Sequence, residues 1–175
     1  MPYKPPQPLE LHHQLDQFGC EEPELTEWLQ RYARQAHAAG SARVYVTTTN
    51  DDVDRVVGYY ALSAASVAPA DASGRTLKGV PKAQAVPAIL LARLARDVGH
   101  KGRGLGPSLL QDALARSSEA ASVIGARVVL VHAKHARARA FYLEHGFEES
   151  PTDPLHLMLL MKDVRRYLAQ RSTCG

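Results

Sequence analysis

Pro87-Ala-Ile-Leu-Leu-Ala-Arg-Leu-Ala-Arg-Asp97, followed closely by Lys101-Gly-Arg-Gly-Leu-Gly106, decides the reading of this chain. The first stretch is apolar enough for a buried strand, and the second is a glycine-rich turn that opens a helix. Such a junction makes an anion site, because the first amides of a helix have no intrahelical partner and the helix dipole favours negative charge. Glycine lets a phosphate approach the backbone closely, and Lys101 and Arg103 add positive charge. A P-loop needs four residues between its glycines and a Gly-Lys-Ser/Thr ending, which this turn lacks. A dinucleotide fingerprint needs G-x-G-x-x-G near the first strand, whereas this turn reads G-x-G-x-G past mid-chain. Alone, it stands as an anion site of unspecified ligand or as a turn that only reverses the chain.

Downstream, Leu105, Leu109, Leu110, Ala113 and Leu114 share one helical face, with Gly125 beyond the helix end. Arg127 to Ala133 reads as a short apolar strand, Ala136 to His145 as a helix stopped by Gly146, Leu157 to Met161 as a strand and Val164 to Gln170 as a terminal helix. Upstream, Pro23 starts a helix in which Leu25, Trp28, Leu29, Tyr32, Ala33 and Ala36 recur at three- and four-residue spacing. Trp28 reads there as a packing residue, and Gly40 ends the helix. Arg43 to Thr49 and Arg55 to Val67 read as a hairpin around Asn50-Asp51-Asp52. The Gly- and Pro-containing segment from Ala68 to Val86 reads as an irregular loop, long enough to suggest a function. Residues up to about 17 form a proline-rich arm in which His12 and His13 are expected in solvent. The order predicts a mixed α/β sheet in one domain, residues 1–175.

The composition fits. A chain of 175 residues, 45% hydrophobic and 22% charged, can bury one substantial core. No apolar run approaches the roughly 20 residues of a membrane span, so no membrane partner is expected. No secretory signal is visible, which points to the cytoplasm. Cys20 and Cys174 are expected as free thiols there. The net charge is only +3, yet Arg75 to Arg103 holds seven basic residues and one acid, Asp97. No acid lies between Glu119 and Glu144, where Arg127, Lys134, Arg137 and Arg139 fall. That clustering favours a polyanionic cofactor, a nucleic acid, or both, against a merely solvated basic face. His132 and His135 lack a carboxylate or cysteine to complete a ligand set, so no metal is expected.

Lys101 to Gly106 resembles the acyl-CoA signature of the GNAT acetyltransferases, Q/R-x-x-G-x-G/A, with Gly104 and Gly106 as the matched glycines. Lys101 stands where glutamine or arginine is usual, keeping a donor but losing the planar group. The second signature of that family, N-x-x-A-x-x-F-Y-x-x-x-G-F, is matched by His135, Ala138, Phe141, Tyr142, Gly146 and Phe147, with His135 replacing the asparagine. Phe18-Gly19-Cys20, Glu24 to Leu29, Val57 to Leu62, Leu91 to Ala95, Asp153-Pro154-Leu155 and Met161-Lys162-Asp163 further resemble the GNAT toxins of bacterial toxin-antitoxin modules.

That resemblance implies acetyl-CoA as co-substrate and aminoacyl-tRNA as acceptor, with translation blocked. It also implies a ribbon-helix-helix antitoxin as partner and a homodimer as the usual assembly. The backbone of Leu94, Ala95 and Arg96 would pair with the pantetheine arm, and Arg96 departs there from a common aliphatic residue. Lys101, Gly102, Arg103, Gly104, Leu105, Gly106 and Pro107 would hold the pyrophosphate, and His135 takes the place of the asparagine that helps hold the pantetheine. Arg93, Lys78 and Lys82 are the candidate substrate contacts. Tyr142 matches the tyrosine near the cofactor sulfur. A phenol with a pKa near 10 stays protonated at neutral pH and can donate to the departing thiolate. No general base is visible. An α-amine is about 30% neutral near pH 7.4, against about 0.1% for a lysine, so an aminoacyl or N-terminal amine needs less help. The alternatives are a small amine or a protein N-terminus as acceptor, or a silent fold member that only binds CoA or a protein.

Overall fold

The computed structural model describes residues 2–173; Cys174 lies outside them. Among the described residues the chain forms seven strands and six α-helices, the mixed α/β arrangement expected. Two compact units divide it: Met1–Ser63 with Ala92–Ala113, and Ala64–Leu91 with Leu114–Gly175.

The first unit holds β1 (Gln7–Pro8), α1 (Pro23–Arg31), α2 (Ala33–Ala39) and β2 (Arg43–Thr48). It also takes the start of β3 (Val56–Val67), the end of β4 (Val86–Arg96) and the start of α4 (Leu105–Val123). Its strand order is β1-β2-β3-β4. β2 pairs antiparallel with β3 from Arg43↔Leu62 to Thr47↔Gly58, and a bulge then shifts the pairing to Thr48↔Val56. Val56 to Ala61 are buried without alternation, as an interior strand covered on both faces requires. Phe18, Leu29, Ala33, Val44, Val46, Val56 and Tyr59 form the core beneath them.

The second unit holds α3 (Gly74–Leu77), β5 (Val128–His132), α5 (Ala136–Glu144), β6 (Glu148–Glu149), β7 (His156–Leu160) and α6 (Met161–Thr173), with strand order β3-β4-β5-β7-β6. β4 and β5 run parallel from Ala88↔Val128 to Leu91↔Val131, and β5 and β7 antiparallel from Val128↔Leu160 to His132↔His156. Val67, Val86, Ala88, Val128, Leu130, Met158 and Leu160 make its core.

Four expectations change. Residues before 17 are not a loose arm: Gln7 pairs with Val46, Lys4 N–H donates to Thr48 O at 2.8 Å, and Leu9 and Leu15 are buried. β2 would otherwise be an open edge, and this short segment covers it. His13, expected in solvent, is only 1% exposed; its Nδ1 accepts from Glu10 N–H at 2.9 Å. The helix from Pro23 divides at Tyr32 (φ −118°) before Gly40 closes it in the left-handed region (φ 76°). The loop after β3 carries a short 3₁₀ turn, Pro69–Asp71, and α3. Arg127 braces this loop, donating from Nε to Thr76 O at 3.1 Å and from Nη2 to Lys78 O at 2.9 Å. No helix among the described residues is long and apolar enough to cross a membrane.

Candidate active site

In the first unit, the site residues follow one another along the chain from β4 to α4. Leu94 and Arg96 are partly exposed and Ala95 is buried. Ala95 belongs to the core, so side-chain alternation turns its two neighbours to the opposite face. The residue after the strand is Asp97, 4% exposed, whose carboxylate is a double bracket. Its Oδ1 accepts from Gly19 N–H at 3.0 Å and its Oδ2 from Gly99 N–H at 2.9 Å, while its own N–H donates to Val57 O at 2.8 Å. Charge-assisted bonds of this kind contribute about 1.5–3 kcal/mol each, enough to fix where the turn begins.

Within the turn, Gly102 and Gly104 both have φ 75°, a conformation that costs most other residues about 1–2 kcal/mol. A side chain at Gly102, Gly104 or Gly106 would meet no protein atom within 4 Å. The backbone there is open to a ligand, not packed against the protein. α4 follows: Ser108 N–H donates to Gly104 O at 3.2 Å, so the Leu105 and Gly106 amides precede the first intrahelical bond and Pro107 has no amide to orphan. Leu105 and Leu109 anchor this end of the helix over Gly58, where an added Cβ would lie 3.0 Å from Leu109 Cδ1. Lys101 Nζ pairs with Glu21 at 3.0 Å, and Arg103 is exposed.

Arg93 is placed differently from a free surface cation. Its guanidinium carbon lies 4.2 Å from the Trp28 ring centroid, and that ring stacks on Tyr59 at 6.1 Å and 11°. Tyr59 in turn donates its hydroxyl to Leu25 O at 2.6 Å. Trp28 packs as expected, and Arg93 forms the outer layer of the stack, with partial burial lowering its pKa.

In the second unit, α5 joins two candidates. His135 is its N-cap, with Nδ1 accepting from Ala138 N–H at 3.2 Å. Capping of this kind is done elsewhere by asparagine or serine oxygens, so His135 preserves the helix start that an asparagine would make. Tyr142 is 8% exposed, with Phe141 and Phe147 edge-on at 5.2 and 5.3 Å. Burial pushes its phenol well above the usual tyrosine range. It therefore stays protonated throughout the physiological pH range. Lys78 and Lys82 are exposed on the loop after α3, apart from α5 in the chain.

The basic stretches are partly committed to the protein itself. Arg75 pairs with Glu148 and with Asp163, each at 2.9 Å; Arg139 pairs with Glu149; Arg127 braces the loop. Three residues escaped the sequence reading. Asp97 read as a strand end, and only its contacts show the bracket. Arg127 read as ligand-binding charge. His156 drew no notice, yet its ring stacks on His132 at a centroid distance of 4.1 Å. His132 and His135, weighed together in the sequence and set aside as a metal pair, have different neighbours: His132 stacks across the sheet and His135 caps α5. Among the described residues no group of three or more His, Cys, Asp or Glu is gathered for a metal ion.

The profile of the acetyltransferase (GNAT) family matches residues 9–147. The chain belongs to the GNAT acetyltransferase family. It is an N-acetyltransferase that uses acetyl-CoA. It is 53% identical over 148 residues, 85% of this chain and 86% of the relative, to the tRNA-acetylating toxin of Mycobacterium tuberculosis. Among solved structures it is similar to AtaT complexed with acetyl-methionyl-tRNAfMet, with TM-score 0.85 and 24% identity, covering 94% of this chain and 98% of that one. It is also similar to a tyrosine-to-phenylalanine mutant of AtaT bound to the C-terminus of the antitoxin AtaR and acetyl-CoA, with TM-score 0.79 and 22% identity, covering 95% and 98%. At such identities these likenesses show the fold.

Proposed function

We propose that this GNAT enzyme is a toxin that transfers the acetyl group of acetyl-CoA to the α-amino group of aminoacyl-tRNA and so blocks translation. The observation that carries this reading is the 53% identity to a tRNA-acetylating toxin over most of both chains. Residues 1–175 act as one acetyltransferase domain, a reading supported by a family match that takes in residues of both compact units. The antitoxin is of ribbon-helix-helix type, the toxin a homodimer, and its place of action the cytoplasm, where charged tRNA is.

In this reading the backbone of Leu94, Ala95 and Arg96 holds the pantetheine arm. The open amides of Gly102, Gly104, Leu105 and Gly106 receive the pyrophosphate, with Lys101 and Arg103 beside it, and Pro107 shapes the first turn of the helix. His135 fixes the start of α5. Tyr142 donates its phenolic proton to the CoA thiolate as the tetrahedral intermediate collapses. Arg93, Lys78 and Lys82 meet the tRNA. Incubation with radiolabelled acetyl-CoA and a set of charged tRNAs yields labelled acetyl-aminoacyl-tRNA. Label appearing instead only on polyamines or on peptide N-termini would replace this acceptor with a small amine or a protein.

A further inference from the structure

We infer that His132, stacked on His156 at the carboxyl end of β5, is the general base that takes the proton from the incoming α-ammonium group. The inference rests on the aminoacyl-tRNA reading and supplies the proton acceptor that the sequence did not reveal. β4 and β5 are parallel neighbours, and ligands of open α/β sheets collect outside the carboxyl ends of parallel strands. Their pairing stops at Leu91↔Val131, and His132 is the next residue of β5. It stands on the same face as Val128 and Leu130, at the end of a buried row, and is itself exposed. Three residues on, His135 starts α5, the helix that carries Tyr142.

The ring is held in place. His132 lies directly opposite His156 in the β5–β7 register, and the two imidazoles stack at 4.1 Å and 25°. Asp153 Oδ2 lies 3.5 Å from His156 Nε2, and its Oδ1 accepts from Leu155 N–H at 2.9 Å, so the carboxylate is fixed too. The groups acting on His132 from the packed elements are therefore His156 and Asp153. Partial desolvation lowers the His132 pKa first and the His156 ring lowers it further, against the opposing pull of Asp153. His132 is thus neutral near pH 7 and ready to accept a proton.

The steps balance. The α-ammonium gives one proton to an imidazole nitrogen of His132, leaving a free amine. The amine nitrogen attacks the thioester carbonyl carbon, and the tetrahedral intermediate breaks its C–S bond. The thiolate takes the Tyr142 proton, the nitrogen loses its remaining extra proton to the phenolate through water, and His132 releases its proton to solvent.

The test is kcat/KM for acetylation of charged tRNA between pH 6 and pH 8, for wild type and His132→Gln, with melting and acetyl-CoA binding measured as controls. Without the base the variant depends on the neutral fraction of the amine, which falls about 40-fold over this interval for a pKa near 7.8. The wild type should lose less than about fourfold, the loss an ordinary histidine would show over this interval, because the His132 pKa is lowered. Imidazole added to His132→Ala should restore the acid-side rate, and His156→Phe, which keeps a stacked ring but removes the imidazole that lowers the His132 pKa, should move the wild-type limb to higher pH. Parallel profiles for wild type and His132→Gln, or no imidazole rescue, would overturn the assignment alone. A wild-type enzyme that acetylates no charged tRNA would overturn the reading on which it rests.

Discussion

Gly58→Ala probes how the glycine turn, proposed above to receive the pyrophosphate, is positioned. Gly58 lies in the fully buried start of β3, under the first turns of α4. A Cβ there would come within 3.0 Å of Leu109 Cδ1, 3.3 Å of Leu105 Cδ2 and 3.6 Å of the Ala95 carbonyl oxygen. Leu109 is 0% exposed and Leu105 3%, so neither side chain can swing into solvent, and α4 must lift by a few tenths of an ångström. Overpacking of this kind costs about 1–3 kcal/mol, and replacing glycine returns about 0.4–1 kcal/mol through the unfolded chain. The net expectation is a loss of about 1.5 kcal/mol in urea unfolding. The lift also moves the Leu105 and Gly106 amides, so KM for acetyl-CoA should rise severalfold while kcat changes less. Adding Leu109→Ala removes the clashing methyl, and the double variant should be less than additive by about 1 kcal/mol. Unchanged stability and KM in Gly58→Ala, or strict additivity with Leu109→Ala, would refute the close approach as the device that sets the helix.

Tyr142→Phe should keep the fold and lower kcat about 100-fold with little change in KM for acetyl-CoA. Because burial raises the Tyr142 pKa, the donating form is fully present below it, so wild-type kcat should hold between pH 8 and pH 10 where an ordinary tyrosine would begin to fail. Asp97→Ala removes the acceptor of two backbone amides and should cost about 3 kcal/mol in denaturant unfolding; a loss below 1 kcal/mol would mean that the bracket is idle. If Lys78 and Lys82 contact the tRNA backbone, each change to alanine should weaken binding alike for all tRNAs and reduce the slope of log Kd against log salt by about 0.7–0.9. A slope that stays the same in the double variant would remove both from the interface.

What the sequence disclosed was whatever is written locally. The unbroken apolar run of β5, the three- and four-residue spacing on α4 and the left-handed glycine after α2 each depend on residues a few positions apart, and each was legible. What it hid depends on distance along the chain. Asp97 is 78 residues from Gly19, and Arg127 is 51 from Thr76. β1, two residues long, has no periodicity to detect and exists because β2 offers it an edge. The charge clusters point to the right class of ligand but overcount its contacts for the same reason: Arg75, Arg127 and Arg139 count as free positive charge in the sequence but are spent on Glu148, Asp163, Glu149 and loop carbonyls. The two departures from the family signatures then acquire a physical meaning. His135 keeps the helix cap through Nδ1, so the substitution preserves the backbone that carries Tyr142. Lys101 is paired with Glu21 where both are well exposed, and an exposed pair of this kind contributes at most about 1 kcal/mol. Under the proposed function, a pyrophosphate at the turn would take the lysine from Glu21 at little cost.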